Sequence, residues 1–231
     1  MKNVLIILFV FMVGHSMSFA NNVNEALYKL ENTVQDTEGN VYRTVKIGDQ
    51  TWLAENLRST KYQDGSKIDT AFIPGDKEEN LSKYGRLYNW HDVSDERNMC
   101  PIGWRVATDN DWQTLEKTIG IKDEELDQEG WRGDDDIAIT LKESQPNTLF
   151  KNFEQARVNQ YQFFARPAGV KVGSWYLTQG MYTEFWTSSD ATDKSAYART
   201  LAYSCWNTHK GEIRRAKLTK TYMFSVRCVK E

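Results

Sequence analysis

The clearest hydrophobic pattern in the chain is a helical stripe that follows Thr108. Trp112, Leu115 and Ile119 recur at the i, i+3 and i+7 spacing of one helix face. Thr108 is placed to cap the first turn, and Gly120 is placed to end the helix in a left-handed conformation. The pattern therefore predicts a helix between these two residues that packs through its apolar stripe.

Segments with alternating or β-branched and aromatic residues predict strands elsewhere. An alternating run at Val41–Ile47 is followed by Gly and Asp, which favour a type II′ hairpin, and then by a returning strand. Further strand-like runs lie at 163–166, 184–187, 196–203 and 222–229. Because strands outnumber helices and their spacing is that of hairpins, we predict an α+β domain with antiparallel sheets, one or two packed helices and long loops.

Two charged segments are predicted to lie in solvent. Residues 122–136 are strongly acidic, and Asp134 and Asp136 are the ligands to test there for a cation, although the run lacks the acid spacing of an EF-hand loop. The basic residues of 214–217, with Lys220, could meet an acidic glycan or a phosphate. A solvated hairpin tip is the simpler expectation for this run.

The first residues have the composition of a secretory signal. Lys2 precedes an apolar run of about ten residues, and small residues follow up to Ala20. The run is shorter than the roughly 17 to 25 residues that span a bilayer, so we expect no transmembrane segment. We predict a signal peptide over 1–20 that is cleaved after Ala20, a leader over 21–40 and a domain over 41–231. The mature protein is then secreted or held at the cell-envelope exterior.

Charge and aromatic content limit the classes of function. The formal net charge of −3 becomes −4 when Lys2 is removed with the signal, and this near balance argues against a nucleic-acid partner. Eight Trp, eleven Tyr and ten Phe supply the aromatic area of a large core. One globular domain is therefore expected.

Three cysteines, Cys100, Cys205 and Cys228, would meet an oxidising compartment after export, which favours one disulfide and one remaining thiol. A bond between Cys100 and Cys228 is favoured because Cys228 falls on the apolar face of the last strand-like run. A bond between Cys205 and Cys228, or a buried thiol at each position, stays open as an alternative.

No motif identifies a catalytic or metal site. The chain has no His-Glu-x-x-His, Gly-x-Ser-x-Gly or phosphate-loop motif, and an acid and base pair such as Glu55 and His91 can be drawn in any chain. The tripeptides at 145–147 and 206–208 resemble lectin signatures, but they offer calcium no carboxylate. We therefore assign no catalytic residue, no metal ligand and no cofactor.

Six segments, which we call the signature segments, form a recognisable series. They are IGDQTWLAENL at 47–57, YGRLYNW at 84–90, CPIGW at 100–104, RPAG at 166–169, WTSS at 186–189 and SVRCV at 225–229. From about residue 44 to 230 the series resembles the Fibrobacter succinogenes major paralogous domain family of exported bacterial modules. The resemblance implies a fold similar to the C-type lectin-like fold, in which a helix near the start is disulfide-bonded to the last strand. It thereby supports the pairing of Cys100 with Cys228.

These observations favour a secreted, non-enzymatic binding or surface-interaction module, whose partner is a glycan or a cell-surface protein. Trp131, Trp175 and Trp206 are the candidate ligand contacts, because an exposed indole can stack on a sugar face. One alternative is an exported enzyme that acts on polysaccharide, which would need two carboxylates facing each other across a cleft. The other is a structural module of a cell-envelope assembly.

Overall fold

The computed structural model describes residues 33–134, 136–143, 158–203, 209 and 211–231. The chain divides into two compact units, Met1–Thr33 and Val34–Glu231, and apart from Thr33 the described residues belong to the second unit. The predicted signal peptide lies outside the described residues, and so does most of the predicted leader.

The described strands form three sheets whose paired strands run antiparallel. The strands of the first sheet are β1 (Thr33–Gln35), β2 (Val41–Ile47), β3 (Gln50–Leu53), β5 (Trp104–Val106) and β13 (Cys228–Lys230), in the spatial order β1-β2-β3-β13-β5. Those of the second sheet are β6 (Gly130–Arg132), β9 (Tyr182–Thr192), β10 (Ser195–Ala202) and β11 (Ile213–Thr219), in the order β6-β11-β10-β9. Those of the third sheet are β4 (Tyr88–Asn89), β7 (Val170–Val172), β8 (Trp175–Leu177) and β12 (Met223–Phe224), in the order β4-β12-β7-β8.

Helices are few and mostly short in the described ranges. The α-helices are α1 (Leu81–Tyr84), α2 (Trp90–Val93) and α3 (Asp109–Ile119), and single 3-10 turns occupy Pro74–Asp76, Glu78–Asn80, Asp123–Glu125 and Ile137–Leu141. The predicted α+β class is confirmed. No helix in this part of the chain is both long enough and apolar enough to cross a bilayer.

Helix α3 forms where the hydrophobic pattern predicts it. The Thr108 hydroxyl accepts a hydrogen bond from the Asp111 amide (3.1 Å), and the Asp111 carboxylate accepts one from the Thr108 amide (2.8 Å). These reciprocal bonds satisfy amide groups that the first helical turn leaves unpaired. Gly120 ends the helix with a φ of 115°, a conformation that glycine adopts without steric cost.

The apolar stripe of α3 packs into an aromatic cluster. Trp112 contacts the rings of Trp52, Phe163 and Phe185 at centroid distances of 5.3 to 5.8 Å. All four side chains are fully buried. The helix therefore joins the first sheet, through Trp52 on β3, to the second sheet, through Phe185 on β9.

A disulfide between Cys100 and Cys228 closes the domain, as predicted. The two Cα atoms lie 6.0 Å apart across a sequence separation of 128 residues. Cys228 begins β13, an interior strand of the first sheet that lies between β3 and β5. The bond thus holds the segment that leads into α3 against the last strand. Cys205 lies outside the described residues.

Two predicted strands are wrong. The segment 163–166 is irregular, because Phe164 has a φ of 50°, far from the extended region, and only Ala165 makes a single bridge, to Lys142. The run 222–229 is not one strand but two, β12 and β13, which belong to different sheets. Between them the chain turns Arg227 into the core.

The two segments predicted to be solvated are partly buried. The acidic run 122–136 contains β6, and Arg132 on this strand is buried against the Glu116 carboxylate (2.9 Å). The basic run lies on β11 rather than at a hairpin tip, and Arg215 is buried against Asp109 (2.7 Å). Both guanidinium groups are therefore buried in ion pairs with carboxylates of α3.

Candidate functional site

A small surface cleft forms where three separate parts of the chain meet. Its lining residues are Glu55, Asn56, Arg58, Ser82, Lys83, Gly85, Phe164 and Arg166. The space in and above it measures about 240 Å³ and includes open solvent, so the cleft is shallow. The signature segments 47–57, 84–90 and 166–169 each contribute to this lining, so they are brought together at one place.

Asn56 and Gly85 fix the floor of the cleft. The Asn56 amide donates to the carbonyl oxygen of Tyr84 (2.9 Å) and to the hydroxyl of Ser225 (3.1 Å). Gly85 has a φ of 70°, and a Cβ atom there would lie 2.7 Å from the carbonyl oxygen of Leu57. Only glycine tolerates both the conformation and the close approach, so the end of α1 rests directly on the loop after β3.

Arg227 is fully buried next to this floor. Its guanidinium group donates to the side-chain oxygen of Asn56 (2.8 Å) and to the carbonyl oxygens of Leu53, Phe163 and Phe164 (2.6 to 3.1 Å). These acceptors are all neutral. Burial lowers the pKa of Arg227 to about 9, so the side chain is still charged at neutral pH. A buried positive charge therefore lies beside the cleft.

The loop that carries Phe164 is conformationally strained. Asn159, Gln162 and Phe164 have φ values of 51°, 53° and 50°, which is unusual for residues with a Cβ atom and most unusual for a bulky one. The Phe164 amide donates to the Asn159 side chain (2.8 Å), and the Arg43 guanidinium lies 4.2 Å from the centre of the Phe164 ring. Such strain persists only where the surrounding contacts hold it, and it is concentrated at functional sites.

Two acids pair with arginines at the edge of the cleft. The Arg43 Nε atom lies 2.7 Å from Glu55, and Arg166 donates through Nη2 to Glu143 (2.8 Å). Hydrogen bonding to Glu143 raises the pKa of Arg166. Each acid therefore already has a cationic partner within the protein.

Two other cations at the cleft make no hydrogen bond to a carboxylate of the described residues. Arg58 donates through Nη2 to the carbonyl oxygen of Val41 (2.6 Å), and its Nη1 atom lies 3.6 Å from Glu55, which is too long for a hydrogen bond. Within the described residues the Lys83 ammonium forms no ion pair; it lies 4.9 Å from the centre of the Tyr84 ring. The cleft consequently has an excess of positive charge.

The cleft does not present a pair of facing acids. Of its lining residues, Glu55 is the single acid, and it is engaged by arginines. His91, which could be drawn as its partner in sequence, is exposed on α2 with its ring against Trp90 (6.2 Å between centroids). The lining of the cleft therefore lacks the two facing carboxylates that glycoside hydrolysis uses.

A second surface is apolar. Trp175, Leu177 and Met181 are 74%, 47% and 43% exposed. Trp175 and Leu177 lie on the same side of β8, which is the last strand at one edge of the third sheet. We call these three residues the outer-strand patch, and it contains one of the three predicted ligand contacts.

The other two predicted contacts do not join this patch in the described structure. Trp131 lies on β6 of the second sheet and stacks parallel to the His209 ring, with 5.0 Å between centroids and 3° between planes. Trp206 lies outside the described residues, as do the two lectin-like tripeptides. Trp131 is therefore a half-buried, partnered indole, whereas Trp175 is open to solvent.

The acidic residues do not form a cation site in the described part of the chain. Asp134 is exposed and Asp136 is half-buried, while the residue between them lies outside the described ranges. No group of three His, Cys, Asp or Glu side chains there is arranged to hold a metal ion.

Sequence reasoning missed Glu184. This residue lies on β9 opposite Thr200 of β10, which in turn faces Arg214 of β11. Its Oε2 atom is buried and has no hydrogen-bond partner among the described residues, and burial raises its pKa to about 7. An acid directly before Phe185 and Trp186 in a strand-like run was the available signal.

The ionic contacts of α3 also escaped sequence reasoning. Glu116 accepts from Arg199 (2.6 Å) and Arg132 (2.9 Å), and Asp109 accepts from Arg199 (2.7 Å) and Arg215 (2.7 Å). Both partners of the Arg199 and Glu116 pair are fully buried. This network is structural, because it fastens α3 to the second sheet and leaves no open face for a ligand.

The fold and the cleft together define an α+β domain in which three of the six signature segments line one cationic depression. The chain belongs to the Fibrobacter succinogenes major domain family, which matches residues 45–230. No curated protein and no solved structure matches the chain. The matched range falls inside the domain predicted over 41–231.

Proposed function

We propose that this protein is an exported, non-enzymatic binding module whose ligand is a glycan. The observation that carries the proposal is Trp175, the one aromatic residue among the large apolar side chains that the described structure leaves exposed. When a ligand covers an exposed indole, the free energy of binding gains roughly 25 cal/mol for each Å² of apolar surface removed from water. The apolar face of a sugar ring can stack on such an indole.

Backbone pairing holds Trp175 at a fixed position on the surface. It pairs with Val172 across the β7 and β8 hairpin, and the next residue, Tyr176, holds the Lys171 ammonium 4.6 Å from its ring centre. Leu177 and Met181 extend the apolar surface on which a ligand would rest. The secretory signal predicted over 1–20 supports a location outside the cell or at the envelope exterior, where glycans are abundant.

The test is binding of the exported chain to an array of bacterial, plant and host glycans, with calcium and with a chelator. We expect selective binding, and we expect Trp175→Ala to weaken it at least tenfold, which corresponds to about 1.4 kcal/mol. The matched control is Ile102→Ala, because Ile102 is 75% exposed but lies outside the outer-strand patch.

The glycan array tests the class of ligand, and the two variants test where the ligand binds. Loss of binding in chelator would add a metal requirement to the glycan function. Equal affinities for the Trp175→Ala and Ile102→Ala proteins would remove the patch from the proposal. The absence of glycan binding in both conditions would sink the proposal and direct the search to protein partners.

A further inference from the structure

We propose that the cleft lined by Arg58, Lys83 and Arg166 is an oxyanion-binding site that takes a carboxylate, sulfate or phosphate group of an acidic ligand. The proposal does not rest on the glycan function, because it uses none of the residues of the outer-strand patch. It rests on charge balance, on unused donors and on the shape of the cleft.

The charges around the cleft do not cancel. Glu55 is shared between Arg43 (2.7 Å) and Arg58 (3.6 Å), and Glu143 is taken by Arg166. Lys83 is then left without an acid among the described residues. The surroundings therefore hold more guanidinium and ammonium groups than carboxylates, and an incoming anion would restore the balance.

Two further arginines, Arg227 and the half-buried Arg86, add to this excess. Arg227 is fully buried, and its hydrogen bonds to the described residues go to neutral oxygens. Arg86 likewise donates to carbonyl oxygens, those of Arg58 (3.0 Å) and Ala71 (2.7 Å). Charges in or near a protein interior are screened less than charges in open solvent, so both contribute to the positive potential at the cleft.

Three donors at the cleft make no hydrogen bond within the described structure, although their residues line the depression. The Lys83 ammonium and the Ser82 hydroxyl donate none there, and the Arg58 Nη1 group makes only a long ion pair with Glu55 (3.6 Å). An oxyanion presents several acceptor lone pairs and can receive a bond from each donor. Bonds between ionised partners of this kind are stronger than bonds between neutral groups.

The shape of the cleft favours an anionic group over a sugar ring. The Phe164 ring beside it is already covered by the Arg43 guanidinium at 4.2 Å, so this face is not free to stack on a sugar. The strained Phe164 backbone and the close approach of Gly85 to the Leu57 carbonyl oxygen hold the walls of the cleft in place. A wall that is already ordered before binding lowers the conformational entropy that is lost when the ligand binds.

The experiment follows the amide NMR spectrum of the full exported chain during titration with sulfate, phosphate, D-glucuronate and neutral D-glucose. We expect saturable shifts at Ser82, Lys83 and Gly85 with one or more of the anions and none with glucose. Lys83→Gln should weaken anion binding about tenfold, because it removes one charged donor. Lys194→Gln is the matched control, since Lys194 is an exposed lysine in the turn between β9 and β10, and it should change the affinity less than twofold.

The arms distinguish the source of the anion. Binding of glucuronate alone identifies a sugar carboxylate, whereas binding of sulfate or phosphate alone identifies an ester group; either result supports the site. The site is refuted if no anion binds saturably, or if Lys83→Gln and Lys194→Gln weaken binding equally. Trp175→Ala should leave anion binding intact, so failure of the glycan proposal and failure of the anion site can be told apart.

Discussion

At the scale of the residue, Glu184 shows how burial alone changes the chemistry of a side chain. In the part of the chain that the structure describes, its Oε2 atom has no hydrogen-bond partner, and Arg214, which would favour the charged form, lies on β11, two strands away. Burial therefore raises the pKa of this carboxyl from 4.5 to about 7. The folded protein binds the proton more tightly than the unfolded chain does.

This shift predicts a pH dependence of stability. A carboxyl whose pKa is raised on folding contributes stability that is complete below about pH 4.5 and is lost as the pH rises through about 7. Glu184→Gln removes the ionisation, so the variant should exceed the natural protein in free energy of unfolding above pH 7, by up to about 3 kcal/mol. Urea unfolding between pH 4.5 and 8.5 measures this difference.

The control for Glu184 is a solvent-exposed glutamate of the same protein. Glu96→Gln, at an exposed position, should leave the pH curve of stability unchanged. If the Glu184→Gln curve runs parallel to that of the natural protein across the range, burial does not perturb this carboxyl as described.

Arg227 is a buried charge that is stabilised differently. Four oxygen acceptors surround its guanidinium group, and the Phe163 ring lies 4.2 Å from it. The bonds link β3, the loop before β7 and the entry to β13. One residue thus organises three parts of the chain that are distant in sequence, which explains why the run 222–229 cannot continue as a single strand.

At the scale of the element, α3 is held by two different kinds of contact. Its apolar stripe packs on the aromatic cluster around Trp112, and its acidic residues Asp109 and Glu116 face arginines of the second sheet. Both carboxylates are desolvated, so they stabilise the fold only when their charges are fully paired. Removing one partner would leave buried guanidinium groups without compensation.

Glu116→Gln tests this dependence. The substitution keeps the size of the side chain but removes the charge that Arg132 and Arg199 share, so we expect a loss of roughly 3 kcal/mol in the free energy of unfolding. Glu124→Gln, at an exposed acid, should cost less than about 0.5 kcal/mol. Chemical unfolding of both variants gives the comparison, and similar values for the two would show that the network adds no net stability.

At the scale of the whole molecule, the disulfide links the middle of the chain to its last strand. Cys100 lies just before β5 and Cys228 begins β13, so the bond closes a loop of more than one hundred residues. In the chain-entropy account such a long loop gives a large effect, because the cross-link removes many conformations of the unfolded chain.

Loss of this bond is expected to destabilise the domain strongly. Cys100→Ala combined with Cys228→Ala should lower the free energy of unfolding by about 4 to 5 kcal/mol in that account. Thermal and urea unfolding of the double variant and of the natural protein measure the change. Peptide mass spectrometry without reduction provides the check: free Cys100, or Cys205 bonded to Cys228, would contradict the pairing.

Local chemistry determined a substantial part of this structure from sequence. The capping residues and apolar stripe located α3, the alternating run and its Gly-Asp turn located the first hairpin, and the cysteines together with the family resemblance located the disulfide. The helix and hairpin signals act between neighbours in the chain, whereas the disulfide is a single covalent bond whose pairing the family resemblance supported. That is why a single sequence was enough to predict them, and why the α+β class followed.

Only the tertiary structure decided which charges and aromatic side chains are available for binding. Arg215 and Lys83 are both basic residues in sequence, but helix α3 buries the first, whereas the second stays exposed at the cleft. Trp131 and Trp175 differ in the same way, since one stacks on His209 and the other lies on an edge strand. Exposure and pairing depend on contacts between segments far apart in the chain, and no local pattern of residues encodes those contacts.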